Sequence, residues 1–213
     1  MRVMSRGERV CAFIEECIRI PDGTHVGQPM RLAPFQRRFL LDVYDNPHGT
    51  RRAYLSISRK NGKSGIVAAM LLAHLIGPEA RQNTQIASGA RSRDQAALVF
   101  DLASKMLMVS PALQGLTRVI PSHKRLIGLR RNVEFRALAA DGTTAHGLSL
   151  SLAILDEVGQ IKGPQDDFVD AITTSQGAHE SPLLVAISTQ ASSDADLFSI
   201  WLDDAERSKD PRI

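Results

Sequence analysis

Ser58-Arg59-Lys60-Asn61-Gly62-Lys63-Ser64 separates two apolar stretches of different character, and the rest of the chain is arranged around it. Before it, Ala53 to Ser58 is a short run of strand type. After it, Lys63 to Ile76 is apolar nearly all round and predicts a buried helix. A polar turn between a strand end and a helix start gathers backbone N–H groups where an anion can be held. Gly62 permits close approach of the backbone, Lys63 extends a point charge toward phosphate oxygens, and the Ser64 hydroxyl is of the type that ligates Mg²⁺. The usual phosphate-loop pattern is G-x-x-x-x-G-K-[ST], and Ile57 stands here in place of its first glycine. Gly-Lys-Ser alone is a frequent tripeptide whose competing reading is an ordinary helix start. The flanking strand and buried helix favour the phosphate loop.

Outward from this loop the pattern alternates strand and helix. Gln85 to Ser88 is a short strand. Ser92 with Gln95 has the form of a capping box for a helix to about Val109, with Leu98, Leu102, Met106, Val99, Ala103 and Leu107 as its buried stripe. Arg118 to Leu138 predicts short strands rich in bases. Leu152 to Leu155 is an apolar strand, Gln165 to Ser175 a helix, Leu183 to Ile187 another buried strand, and Ala195 to Arg207 a last helix. Upstream, Gly7 to Arg19 and Phe35 to Tyr44 predict two helices around a turn-rich stretch from Pro21 to Arg31. Apolar strands without alternation, separated by helices, imply an α/β fold with a mostly parallel central sheet covered on both faces. Residues 1–50 form a helical lead-in and 51–213 the α/β core. Ligands of such sheets bind at the carboxyl ends of the strands.

Two further strand ends carry suitable chemistry. Leu152-Ala153-Ile154-Leu155 runs into Asp156-Glu157, a pair able to divide two tasks, Asp156 holding a metal ion and Glu157 polarising a water. The competing reading is a buried strand entering an acidic turn. A strand added between the two motifs would fit the phosphate-loop ATPases that keep a catalytic glutamate. Leu183 to Ile187 runs into Ser188-Thr189-Gln190, whose hydroxyls and amide can hydrogen-bond a terminal phosphate or a water. A plain strand exit is the alternative.

Composition excludes several classes. Of 213 residues 43% are hydrophobic and 23% charged, ordinary for a globular chain and unlike a disordered or fibrous one. The net charge of +3 permits a nucleic-acid partner without requiring one. Cys11 and Cys17, six apart, match no metal or redox pattern and are expected to be buried and unpaired. No apolar run has membrane-spanning length, and Met1 to Arg9 has no apolar signal core, so a cytoplasmic protein is expected.

Taken in order, these motifs resemble the ATPase domain of large terminases from tailed double-stranded DNA phages, over nearly the whole chain. Leu32-Ala33-Pro34-Phe35-Gln36 is similar to that family's adenine-side motif, and Ser58 to Ser64 to its deviant phosphate loop. Ala90-Arg91-Ser92-Arg93-Asp94-Gln95-Ala96, Ala145-His146-Gly147-Leu148, Leu155-Asp156-Glu157 and Ser188-Thr189-Gln190 match further motifs. The resemblance implies a P-loop NTPase of the additional-strand, catalytic-glutamate type that uses ATP and Mg²⁺. Gln36 would hydrogen-bond the adenine with Phe35 packing nearby. Ser58, Arg59, Lys60, Asn61, Gly62, Lys63 and Ser64 would cradle the phosphates. Asp156 would share the metal with Ser64, Glu157 would be the base, and Ser188, Thr189 and Gln190 would couple hydrolysis to movement.

It further implies a motor that drives double-stranded DNA into a procapsid in the host cytoplasm. Its partners would be the portal protein, the small terminase subunit and copies of itself in a ring. Full terminases add a C-terminal RNase H-like nuclease domain, which is expected to be absent here, so no nuclease activity is expected. The arginine that would stabilise the transferring phosphoryl group stays open: Arg59 could act in cis, and Arg91, Arg93 or a base from Arg118 to Arg136 in trans.

The remaining candidates are weaker. Lys124, Arg125, Arg130, Arg131 and Arg136, with Arg118 and His123, suit DNA phosphates as well as a solvated hairpin. His146 could shuttle protons, though a hydrogen-bonded structural histidine is commoner. Asp166, Asp167 and Asp170 could bind a metal, but a helix N-terminus explains the first two better. Two other functions compete with a packaging motor. One is another nucleic-acid-dependent P-loop ATPase such as a helicase. The other is a nucleotide-binding module without turnover, against which Lys63, Ser64, Asp156 and Glu157 argue.

Overall fold

The structure, a computed structural model, describes residues 3–140 and 147–213. Two helices lead in, α1 (Arg6–Cys17) and α2 (Pro34–Tyr44). Ser5 and Glu8 form a capping box that starts α1, and proline at the first turn of α2 costs it no needed N–H. The core alternates: β1 (Arg52–Ser56), α3 (Lys63–Leu75), β2 (Gln85–Ala90), α4 (Arg93–Val109), then β3 (Thr117–Ile120), β4 (Arg125–Gly128) and β5 (Val133–Ala139). It closes with β6 (Leu150–Asp156), α5 (Asp167–Thr174), β7 (Leu183–Ser188) and α6 (Leu197–Arg207).

The seven strands form one sheet in the order β1-β7-β6-β2-β5-β4-β3, parallel from β1 through β5 and antiparallel at β4 and β3. Burial follows from that order. β6 and β7 lie between other strands and under helices on both faces, and every one of their residues is buried, hence the uninterrupted apolar runs. One hydrophobic cluster joins α1, α2, α3 and α4 to one face, with Ile14, Leu40, Met70, Leu72, Val99 and Phe135 inside it. A second joins α5 and α6 to the other, around Ile172, Leu184 and Phe198.

β7 is the added strand. It enters the chain last but sits between β1 and β6. Its register sets Ser56 opposite Ser188 and Asp156 opposite Ile187, so three strand ends finish level.

Some expectations need correcting. Leu98 is 48% exposed and does not belong to the buried stripe of α4; Phe100 is buried instead, with Val99, Ala103, Met106 and Leu107. The helix leans on both α3 and the sheet, which turns its buried face toward residue 100. Gln95 forms only half the expected box, its N–H donating to the Ser92 hydroxyl while its side chain leaves the helix. The basic stretch is less free than its charge suggests. Glu134 pairs with both Arg125 and Arg136, and Asp101 takes Lys124, whose ammonium also lies 5.0 Å from the centre of the Phe100 ring. Asp166 is the N-cap of α5, accepting from Phe168 N and Val169 N. No metal-binding cluster of His, Cys, Asp and Glu occurs among the described residues. Cys11 and Cys17 are both free, Cys11 buried and Cys17 half-buried. No helix among the described residues is long and apolar enough to cross a membrane.

Candidate active site

The loop from Ile57 to Gly62 joins β1 to α3 and is folded around its own carbonyls. Lys63, only 7% exposed, donates from Nζ to Ile57 O at 3.0 Å. Asn61 Nδ2 reaches the Ser58 hydroxyl at 2.6 Å and Ser58 O at 3.4 Å. Left-handed backbone falls at Lys60 (φ 66°) and at Gly62 (φ 75°), the N-cap of α3. Gly62 is needed twice over: for that φ, and because an added Cβ would stand 2.9 Å from Gln36 Nε2. Ile57 has no positive φ, packs against the first cluster and donates its N–H to Ser188 O at 3.1 Å. Its position therefore imposes no demand for glycine. Arg59 and Lys60 are exposed, and Ser64 is half-buried at the start of α3.

Gln36 comes to this loop from α2. It is 7% exposed, its Oε1 accepts from Ala33 N at 3.0 Å, and its Nε2 points at Asn61 O, 3.5 Å away. Phe35 beside it is 42% exposed, an apolar ring left in solvent at the mouth of the loop.

The acidic pair is split by its backbone. Asp156 ends β6 in extended form, 6% exposed, and its Oδ1 is buried with no hydrogen-bonding partner. Burial lifts its carboxyl to about 6. The charge of Glu157 adds to the rise, while a backbone hydrogen bond from Glu157 and the Lys63 ammonium oppose it. Glu157 adopts a left-handed conformation (φ 56°, ψ 36°), unusual for a residue with a side chain, and its N–H is tied to Ile187 O at 2.9 Å. That turn of the backbone sends the two carboxylates different ways, one into the protein and one half-exposed.

A single 3-10 turn, Val158–Gln160, follows Glu157. Gly159 N donates to the Ser188 hydroxyl at 2.9 Å, and an added Cβ there would stand 2.5 Å from Thr189 O and 2.7 Å from Ser188 Oγ. Ser188 thus holds the phosphate loop through its carbonyl and the turn after Glu157 through its hydroxyl. Thr189 is half-buried and Gln190 exposed. On the other side, Arg91 Nη1 donates to Gln160 O at 3.2 Å.

The structure therefore assembles Gln36, the phosphate loop, Asp156, Glu157 and Ser188 at one edge of the sheet. Arg118, Arg125 and Arg136 lie on the far β3–β4–β5 side, outside this group. Of the Ala145-to-Leu148 motif, Ala145 and His146 lie outside the described residues, as does the side chain of Arg93. Gly159 and Gln160 escaped the sequence reading. A glycine two residues beyond the acidic pair was a weak signal for the first, and an exposed glutamine carries none.

Residues 34–206 match the family described as "Terminase large subunit, ATPase domain". The chain is 66% identical over 210 residues to the large subunit of the terminase of Enterobacteria phage HK97, an alignment covering 99% of this chain and 42% of that protein. The crystal structure of the HK97 large terminase superposes with a TM-score of 0.93 at 65% identity, covering 99% of this chain and 43% of that one. The large terminase ATPase domain of Thermus phage P74-26 gives 0.58 at 22% identity, over 75% and 65% of the two chains, and shares the fold. The chain spans about two fifths of the length of the HK97 relatives.

Proposed function

Because the chain belongs to the terminase large-subunit ATPase domain family, we propose that it couples ATP hydrolysis to the movement of double-stranded DNA into a procapsid, working in the host cytoplasm as one subunit of a ring with the portal protein and small terminase subunit. The observation that carries the reading is the level meeting of β1, β7 and β6, which sets the phosphate loop beside Asp156 and Glu157 with Ser188 bonded to both sides.

Within that reading Lys63 and the N–H groups opening α3 bind the β- and γ-phosphates. Gln36 turns its amide to the adenine and Phe35 packs against the ring. The buried, unpartnered Asp156 Oδ1 fits a cation, and Asp156 with Ser64 would hold Mg²⁺. Bound there, Mg²⁺ neutralises charge between the phosphates. Glu157, half-exposed, takes a proton from the attacking water. Arg59, exposed in the loop itself, is placed to meet charge on the transferring group in cis. When the γ-phosphate leaves, contacts at Ser188, Thr189 and Gln190 change, and the strand end passes the change on. An ADP complex of the large terminase of a thermophilic bacteriophage, a protein that shares the fold, supports a nucleotide at this edge.

The test is steady-state ATP hydrolysis with Mg²⁺, with and without linear duplex DNA, at low and high protein concentration. Duplex should accelerate turnover, and Glu157→Ala should reduce it by roughly 100-fold or more, the usual worth of a general base. A Glu157→Ala chain as active as its parent removes Glu157 from the role. A parent chain that binds nucleotide but never turns it over supports a binding module.

A further inference from the structure

The base of the proposed reaction is held by a residue that no part of the reading so far employs. Gln160 is exposed, and an exposed glutamine is ordinarily solvated and mobile. Here all of its hydrogen-bonding groups are engaged. Its backbone N–H donates to Glu157 O at 2.9 Å and its carbonyl accepts from Arg91 Nη1 at 3.2 Å. Its Nε2 donates to Glu157 Oε2 at 3.4 Å, and its Oε1 accepts from Gln95 Nε2 at 3.4 Å. The amide orientation is fixed by chemistry: an ionised carboxylate only accepts, so the NH₂ faces Glu157 and the oxygen is left for Gln95.

Gln95 is equally specific. It occupies the third position of α4, where a glutamine commonly reaches back to the N-cap N–H. Its own N–H does bond the Ser92 hydroxyl, but its side chain turns outward to Gln160. Helix capping alone would not send it there. The turn bearing Gln160 is braced from β7 by the Ser188 hydroxyl on Gly159 N and from α4 by Arg91 and Gln95. The half-exposed Glu157 carboxylate has one side-chain partner among the described residues, and it is Gln160.

Building on the reading of Glu157 as the base, we propose that Gln160 is its positioning residue, and that Gln95 sets the orientation of Gln160 by donating a hydrogen bond to its amide oxygen. The two amides form a relay from the first turn of α4 to the carboxylate. Held at Oε2, the carboxylate keeps Oε1 for the water, and the orientation of the base depends on α4 as well as on its own strand. Without the relay Glu157 samples other rotamers, and a small misplacement of a reacting group is costly in rate.

The experiment compares the parent chain with Gln160→Ala, Gln160→Glu, Gln95→Ala and the Gln95→Ala/Gln160→Ala pair, measuring kcat and KM for Mg·ATP and the affinity for Mg·ADP. Gln160→Glu keeps the shape and removes the donor. We expect both Gln160 variants to lower kcat by about 10- to 100-fold, with KM and ADP affinity unchanged. Gln95→Ala should lower kcat less, and its effect should vanish in the Gln160→Ala background. A Gln160→Glu chain with parental kcat overturns the positioning role, because a structural role tolerates that isostere. Additive losses in the double variant overturn the relay. Absence of turnover in the parent chain would instead remove the enzymatic reading and this inference together, which hydrolysis with indifferent Gln160 variants would not.

Discussion

Glu157 and Gly159 show how much depends on single positions in the turn after β6. Glu157 accepts a left-handed backbone, and its neighbours oppose relaxation: its N–H is fixed on Ile187 O, and two residues later Gly159 lies against β7. No side chain fits at 159. Gly159→Ala would drive a methyl to 2.5 Å from Thr189 O and 2.7 Å from Ser188 Oγ, so the turn must lift off the strand. Overpacking of this kind costs about 1–3 kcal/mol, and the melting temperature should fall roughly 2–4 °C for each of them. Hydrolysis should fall further than stability does, because the lifted turn carries Glu157. Parental turnover in a destabilised Gly159→Ala chain would show that the clasp serves folding alone. Ile57 makes the converse point. The phosphate-loop pattern asks for glycine there, but the strained backbone lies at Lys60 and Gly62, so a branched apolar residue is accommodated and contributes to the core.

Among the elements, the strands were the most legible part of the sequence. β6 and β7 announce themselves as apolar runs because they are covered on both faces, and the polar residues ending them could only be at a ligand edge. What periodicity did not convey is lateral order. That β7 lies between β1 and β6 is a matter of pairing, expressed only by the register of Ser56 on Ser188. The buried face of α4 was misjudged for a related reason: its contacts are with α3 and the sheet together, and local spacing does not say which neighbour dominates at Leu98 or Phe100. The partners of the basic strands were hidden too, since Glu134 and Asp101 meet their bases only once strands pair and α4 packs.

The far end of α3 carries its own prediction. His74 is buried, shares a hydrogen bond with Tyr44 at 3.0 Å, and lies near Glu79, Arg6 and Arg81. Burial lowers it from 6.5 to about 4; Glu79 resists the shift, and Arg6 and Arg81 add to it. The folded protein therefore keeps His74 neutral where the unfolded chain protonates it, and stability falls as pH drops from 6.5 to 4. The loss is at most about 3 kcal/mol. Glu79, which burial alone would raise, is held below its usual range by Arg6, with His74 and Arg81 helping, and so adds a loss of the same sign at more acid pH. Thermal melts of the parent and His74→Gln across this range should converge toward the acid end. Parallel curves would place the pH dependence elsewhere.

At the scale of the whole molecule, the site is a junction. Gln36 comes from the lead-in, Lys63 from α3 and Asp156 from the middle of the sheet, so a nucleotide bound among them ties together parts that a local opening would separate. Ligand present at 100 times its dissociation constant adds about 2.7 kcal/mol, which for a chain of this size corresponds to roughly 5–10 °C in melting temperature. Mg·ADP should produce that shift in the parent chain, and Lys63→Ala should abolish it at the same concentration. Asp156→Asn separates the ligand-free and bound states by sign. Without ligand, Asp156 is a buried carboxylate with one oxygen unpartnered and its ionised form disfavoured, so at neutral pH the neutral amide should raise the melting temperature. With Mg·ADP the same change removes a proposed cation ligand, and the nucleotide-induced shift should shrink toward that seen with a chelator. A chain less stable without ligand, whose Mg²⁺-dependent shift is intact, would mean that Asp156 serves the fold and that the cation is held by other groups.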